Sequence, residues 1–502
     1  MTNGQNKHNL EEAIHSLEPQ DWGEFHDLAV RALEDMLEWL KTSRSHPVWR
    51  PMPQDVRRRL DEPLPAHGQS PEAAYEQFNE LVRPYCNGNA HPRFWGWVQG
   101  SGLPLAMIAD MLAAGINPHM AGFDQAPRLV EEQVLRWLSS MMGFPDTASG
   151  LMTSGASMAN TVALTVARSA KADWDVRREG VRAGSWQLTA YCSEETHSCI
   201  QKAMELLGIG SNALRRIPTD AEYRIDLDKL EAELDRDVAN GFEPFCIIGN
   251  AGTVNTGAID NLTALARIAK QRGIWFHVDG AFGALASISP KLRERVTGLE
   301  LADSVAFDLH KWMYLPFESG CVLVKDAVAH ARTFAVSPAY LGGDERGIIA
   351  GGLPFADRGI ELTRGFKALK VWMCLKAYGV ETFAAYIERN VEQANYVGHL
   401  VRESENLQLL TPISLNIVCF RYAAAALDAG ILDSINREIM LQLQETGVAV
   451  VSSTMLDGKL ALRCAIVNHR SEQSDFDELI SAVRSIGDRV SAALTAGKGG
   501  FA

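Results

Sequence analysis

The stretch GIWFHVDGAFGALA, residues 273–286, decides the fold. Its first half is an apolar run that ends on a charge, Asp279, which predicts a strand buried on both faces. Small residues follow, so the chain can turn there and let a flat ligand come close. Working outward, SVAFDLHKWMYLPF, residues 304–317, repeats the plan. Here an apolar run ends at Asp308 and is followed by His310 and Lys311. WQLTAYCS (186–193), PFCIIGNAG (244–252) and GCVLVKD (320–326) are further β-rich runs, separated by helical stretches. This alternation predicts an α/β fold, with a mostly parallel central sheet covered by helices. Ligands of open α/β sheets bind beyond the carboxyl ends of the strands, so Asp279 stands where a site belongs.

The rest of the chain falls around this centre. VEEQVLRWLSSMMG (130–143) is helical, MTSGASMAN (152–160) is a Gly/Ser-rich turn, and TVALTVARSAKADW (161–174) is helical again. EFHDLAVRALEDMLEWLK (24–41) carries its apolar residues at helical spacing. Residues 46–65 hold too many prolines for a continuous helix and predict an extended arm, better suited to a dimer than to a free monomer. Residues 335–361 are glycine-rich with little periodicity, which predicts a lid. A long helix is expected over 366–400, then strand-like runs at 415–422, 448–454 and 459–467, a last helix from 475, and a frayed tail. The expected division is a helical N-terminal arm and dimerisation segment (1–100), a large domain (101–395) and a small C-terminal α+β domain (396–502).

Composition narrows the function classes. The 502 residues are 46% hydrophobic and 22% charged, with a formal net charge of −14. That balance speaks against a general nucleic-acid binder. The N-terminus has no apolar segment after a basic start, and no apolar run approaches a membrane span. The eight cysteines are dispersed without CxxC spacing. They read as reduced, mostly buried thiols of a cytoplasmic protein, with neither disulfides nor a metal site.

Several residues carry chemistry. Lys311, flanked by apolar segments, is placed for burial, which lowers a lysine pKa and favours attack on an aldehyde. Asp279 serves either as a plain helix cap or as the carboxylate that keeps a pyridine nitrogen protonated. Schiff-base lysine and pyridinium partner are the division of labour that pyridoxal phosphate (PLP) asks of a protein. His197, in EETHSCIQKA after a strand, is either structural or stacked on such a ring. The turn Ser154-Gly155-Ala156-Ser157 opens a helix, where backbone N–H groups and the helix dipole favour a phosphate; a simple serine cap is the alternative.

HVDGAFG followed by DLHKW, with THSCIQKA and HPRFWGWVQGSGLPLAMIADML upstream, resembles the group II PLP-dependent decarboxylases, which include the aromatic-L-amino-acid, histidine and glutamate decarboxylases. The resemblance runs from about residue 25 to 490. It implies PLP fold type I (aspartate aminotransferase-like) and a homodimer with active sites at the interface. Lys311 would form the Schiff base, Asp279 would hold the ring nitrogen, His197 would stack on the ring, and Ala281 would pack on its other face. Gly155, Ala156, Ser157 and His310 would surround the phosphate. Asp308 falls beside that phosphate and is expected to bond a neighbouring N–H or hydroxyl. The reaction implied is loss of CO2 from an amino acid, aromatic favoured, through an external aldimine and a quinonoid, with amine as product.

Two departures from the family pattern matter. Phe355 stands where a lid tyrosine protonates the carbanion, with Tyr340 or His197 as other proton donors. If phenylalanine replaces that tyrosine, oxygen can intercept the intermediate to give an aldehyde; alternatively Phe355 only packs the lid. Trp97, Val98 and Gln99 replace a more apolar set, and His119 falls where the partner subunit contributes an apolar side chain. Gln99 and His119 suit a polar group or a phenol; Trp97 and Phe123 suit an aromatic ring. Amino-acid decarboxylase, aldehyde synthase, a transaminase or lyase, and a non-catalytic PLP binder stand in that order. A transaminase needs an arginine clamp on the substrate carboxylate, for which Arg364 and Arg463 are the available side chains.

Overall fold

The computed structural model describes residues 16–184, 187–336, 346–350, 354–424 and 427–495. Its centre is a seven-stranded sheet. The strands are β1 (Ser149–Thr153), β2 (Gln187–Ser193), β3 (Leu214–Ile217), β4 (Phe242–Asn250), β5 (Trp275–Asp279), β6 (Ser304–Asp308) and β7 (Gly320–Val324). Their spatial order is β1-β7-β6-β5-β4-β2-β3. β2 to β6 run parallel, and β7 is antiparallel to both its neighbours. Every residue of β5 and β6 is buried, as expected of strands covered on both faces.

Strand register sets the site. Asn250 pairs with Asp279, and Asp279 with Ala306. Across β7, Asp308 and Thr153 both pair with Gly320. Ser193, Asn250, Asp279, Asp308 and Thr153 therefore end their strands along one edge. The backbone is tight there: a Cβ on Gly320 would lie 2.6 Å from the Gly155 Cα.

A second sheet of four antiparallel strands is formed by β8 (Leu407–Leu409), β9 (Ile417–Tyr422), β10 (Ser452–Leu456) and β11 (Lys459–Ala465), in the order β10-β11-β9-β8. Helices Ala429–Glu445 and Gln473–Thr495 pack on it, with Phe420, Ile435, Ile439 and Phe476 in its core.

Local expectations needed four corrections. The stretch before the Gly/Ser turn contains β1, and LRRI forms β3; both are short and lack a long apolar run. The proline-rich arm holds a helix at Gln54–Arg59. The long helix Ala368–Arg402 is two helices meeting at Gly379, whose φ of 72° is left-handed. In the expected lid, residues 337–345 and 351–353, with Tyr340, lie outside the described residues. Among the described residues no helix is long and apolar enough to cross a membrane. Seven of the cysteines are buried, and Cys86 is exposed.

Candidate active site

Lys311 lies on the one-turn helix Leu309–Trp312 leaving β6. Its Nζ sits 2.9 Å from Asp308 Oδ2. Burial, the largest influence, pulls the Lys311 ammonium down; the Asp308 charge and hydrogen bond, then Asp279, outweigh it and leave the amine above the ordinary lysine range. The expectation of a lowered lysine pKa is thus corrected, because it took no account of a carboxylate in contact. Asp308 bonds a neighbouring N–H, as expected, and that N–H belongs to the Lys311 ammonium.

His310 is buried beside the same carboxylate. Its Nδ1 lies 3.2 Å from the Ser319 N–H, which donates to it, and its Nε2 lies 3.5 Å from Asp308 Oδ2. Burial first, and Lys311 among its neighbours, hold the imidazole below its usual pKa. The exposed Phe317 ring packs at 4.7 Å from the His310 ring, a neighbour that sequence reasoning missed.

Asp279 is buried at the end of β5. Its Oδ1 accepts from the Ala281 N–H at 3.1 Å, and its Oδ2 meets the Cys199 thiol at 3.8 Å. Burial raises its pKa, while the charges of Lys311 and His197 act against that rise. His197 opens the turn before helix Cys199–Leu206, and its Nδ1 accepts from the Cys199 N–H at 3.2 Å. The neutral ring therefore carries its proton on Nε2. Burial, foremost, keeps the His197 pKa below the usual value. Ala281 accepts the Asp308 N–H at 2.9 Å, which joins the Asp279 and Lys311 turns.

Gly155, Ala156 and Ser157 begin helix Ala156–Lys171, whose N-terminus has no side-chain cap. A Cβ on Gly155 would lie 3.4 Å from His310 Cε1 and 3.6 Å from Asp308 Oδ1. The structure thus brings Lys311, His310, Asp279, His197, Ala281 and the 155–157 turn to one strand edge. Their chemistry fits PLP: an amine for the aldehyde, a buried carboxylate for the ring nitrogen, and an uncapped helix N-terminus for the phosphate. Two buried atoms on the Lys311 side, Asp308 Oδ1 and Ser319 Oγ, have no hydrogen-bond partner among the described residues, as expected where a polar ligand completes a site.

The expected pocket residues divide. Gly100 packs its backbone on the carbonyls of His310 and Lys311, so the segment holding Trp97 borders the lysine turn. Trp97 is 53% exposed with φ of 54°. Its N–H donates to Ser452 Oγ, and its carbonyl accepts from Arg463 Nη1. Gln99 is taken up by Asn87, which donates to it at 2.7 Å. His119 and Phe123 meet edge-on at 5.7 Å. Their segment bonds to the 348–364 stretch through Met120 N–H to Arg364 O, Asp124 N–H to Ile348 O and Ala356 N–H to Ala121 O. Among the described residues no hydrogen bond ties it to the lysine turn. Phe355 is 1% exposed, beneath the guanidinium groups of Arg358 and Arg364 at 4.8 and 5.3 Å. It packs as a core residue, not as the side chain of an open lid.

Neither arginine is free to clamp a substrate. Arg364 pairs with buried Glu131 at 2.5 Å and donates to Met152 O. Arg463 donates to the carbonyls of Val254, Asn255 and Trp97.

The pyridoxal-dependent decarboxylase conserved domain matches residues 53–423. The aromatic-L-amino-acid decarboxylase of Bacillus atrophaeus is 33% identical, covering 93% of this chain and 96% of that protein. A phenylacetaldehyde synthase of Arabidopsis thaliana is 29% identical over 92% of this chain and 95% of its own. Among solved structures, Oryza sativa TDC with PLP and tryptamine superposes with a TM-score of 0.86 at 26% identity, covering 94% of this chain and 99% of that one.

Proposed function

The chain belongs to the pyridoxal-dependent decarboxylase family and is an amino-acid decarboxylase whose cofactor is PLP; on that premise we propose that it converts an aromatic L-amino acid to the corresponding amine and CO2. The observation that carries this reading is the meeting of Lys311, Asp279 and His197 at one strand edge, with the half-exposed Trp97 three residues before Gly100, whose backbone packs on the lysine turn. Trp97 supplies a large flat surface for an aromatic side chain at little conformational cost. The 33% identical relative is named for the same substrate class.

When bound, the cofactor draws off the electron pair left by the departing carboxylate. The protein's part follows from its geometry. Lys311 must give up a proton before it can attack an aldehyde, and Asp308 Oδ2 is in place to take it. Asp279, held by the Ala281 N–H, would be the carboxylate partner of the ring nitrogen of the bound cofactor. His197 holds Nδ1 against the Cys199 N–H, which leaves Nε2 as the ring nitrogen through which a proton would be gained and passed on. Arg364 and Arg463, committed elsewhere, leave the substrate carboxylate unclamped and free to depart. The site takes shape in a homodimer: helix Trp22–Lys41 buries no residue in one chain and leaves Trp22, Phe25 and Leu37 exposed.

A second reading, aldehyde formation with consumption of O2, is favoured by the phenylacetaldehyde synthase relative. One experiment separates the two. PLP-loaded enzyme is given L-phenylalanine, L-tyrosine, L-tryptophan, L-glutamate and L-2,4-diaminobutyrate under air and under argon, with CO2, amine, ammonia and peroxide measured. Stoichiometric amine from the aromatic substrates, unchanged by argon, supports the proposal. Peroxide with ammonia supports the second reading, and amine only from glutamate or diaminobutyrate overturns the aromatic assignment.

A further inference from the structure

Behind Asp279 runs a buried chain of side chains that the reaction as described does not use. The Trp275 indole N–H donates to Ser304 Oγ at 2.8 Å. Ser304 Oγ lies 2.9 Å from His277 Nδ1. His277 Nε2 lies 2.7 Å from Asn160 Oδ1. Asn160 Nδ2 donates to Cys199 Sγ at 3.3 Å. Cys199 Sγ meets Asp279 Oδ2 at 3.8 Å. Ser304, His277 and Asn160 are fully buried, and Trp275, Cys199 and Asp279 are 5% exposed.

The two ends give this chain a direction. An indole N–H only donates, and an ionised carboxylate only accepts. Ser304 Oγ accepts from Trp275 and, in one tautomer of His277, passes its own proton to His277 Nδ1. The neutral His277 then carries its proton on Nε2 and donates to Asn160 Oδ1. The Asn160 amide is thereby oriented with Nδ2 toward sulfur, and the thiol proton points at Asp279. The opposite tautomer, with Nδ1–H on the Ser304 carbonyl at 3.2 Å, turns Asn160 over. The thiol proton then goes to the amide oxygen, and Asp279 Oδ2 loses its donor. The first arrangement gives the Trp275, Ser304, His277 and Cys199 protons an acceptor each and keeps the thiol proton on Asp279. Burial keeps His277 neutral, with its pKa lowered to about 3.

We propose that Asn160 and Cys199 are positioning residues that aim and stabilise the Asp279 carboxylate, with His277 and Ser304 setting the direction of the chain. The proposal rests on the reading of Asp279 as the partner of the cofactor's ring nitrogen. Asn160 stands on helix Ala156–Lys171, whose N-terminus is the proposed phosphate site. One rigid helix thus adjusts both ends of the cofactor.

The test is a double-mutant cycle on PLP affinity. Apoenzyme is titrated with PLP, followed by the visible absorbance of the bound cofactor, for the wild type, Cys199→Ala, Cys199→Ser, Asp279→Asn and the Cys199→Ala/Asp279→Asn double variant. Cys199→Ala is expected to weaken PLP by about threefold to tenfold, the loss of one donor to a charged acceptor. Cys199→Ser, which keeps a donor, stays within about twofold of the wild type. With Asp279→Asn already in place, Cys199→Ala has no further effect. An equal loss in both backgrounds would show that the thiol only fills space and would overturn the proposal, as would no loss in either. If Asp279→Asn alone leaves PLP affinity unchanged, the reading of Asp279 fails, and this proposal with it. Should Cys199→Ala not fold, Asn160→Leu carries the same cycle.

Discussion

Lys311 Nζ lies 2.9 Å from Asp308 Oδ2, on the turn that leaves β6. This contact reverses the effect of burial on the lysine and holds the amine protonated above its ordinary range. A protonated amine cannot attack an aldehyde, so cofactor capture by the apoenzyme must rise with pH. Asp308→Asn removes the charge that lifts the lysine. The ascending limb of the capture rate against pH is expected to move to lower pH. Stopped-flow mixing of apoenzyme with PLP measures it, and an unmoved limb would show that Asp308 does not govern the lysine.

β5 and β6 could be read from the sequence because two-sided burial leaves an unbroken apolar run ending in a charge. Asp279, His197 and Lys311 were legible because each follows such a run at the strand edge where ligands bind. β1 and β3 were not, since SGLMT and LRRI look like a turn and a polar stretch. The Asp308–Lys311 contact depends on how tightly the chain turns after β6, which spacing alone does not reveal. The chain Ser304–His277–Asn160–Cys199 joins β5, β6 and two helices. None of its members is suggestive alone, and only strand register brings them together.

Acid stability follows from another buried imidazole. His330 Nε2 lies 2.7 Å from the Arg358 carbonyl, and burial lowers its pKa to about 4. Unfolded, it binds a proton near pH 6.5. Its folded pKa lies below that value, so its contribution is full above about pH 6.5 and is lost as pH falls toward 4. The loss reaches about 2 kcal/mol at pH 5. His330→Gln should flatten the fall in thermal midpoint between pH 7 and pH 5, even if it lowers the midpoint at neutral pH. Parallel curves for the two proteins would refute it.

Arg463, on β11 of the second sheet, ties that sheet to the chain after β4 and to the Trp97 segment. Its guanidinium reaches the carbonyls of Val254, Asn255 and Trp97 and the Ser452 hydroxyl. Lysine cannot reproduce that planar fork. Arg463→Lys is expected to lower the thermal midpoint of the apoenzyme and also to raise KM, because Trp97 loses its anchor. A raised KM at unchanged stability would mark Arg463 as a substrate clamp instead.

Trp97 should behave in the opposite way. Its indole is half exposed, while its backbone is held by Ser452 and Arg463. Trp97→Ala therefore removes little packing from the fold but deletes the flat surface offered to an aromatic substrate. KM for aromatic amino acids is expected to rise about tenfold, within the range that loss of one apolar contact surface gives. The thermal midpoint should hold. Unchanged steady-state kinetics would show that the substrate lies elsewhere.

Phe355 separates the lid reading from the packing reading. Its ring is 1% exposed beneath Arg358 and Arg364. Phe355→Tyr puts a hydroxyl where two guanidinium groups and apolar neighbours already fill the space. If that hydroxyl finds no acceptor, it costs about 1–3 kcal/mol. The expected result is a lower thermal midpoint with the ratio of amine to aldehyde unchanged. A shift of that ratio toward amine at constant stability would mean that residue 355 leaves the core during turnover and acts on the reacting carbon. The proton supplied there would then come from position 355 and not from His197.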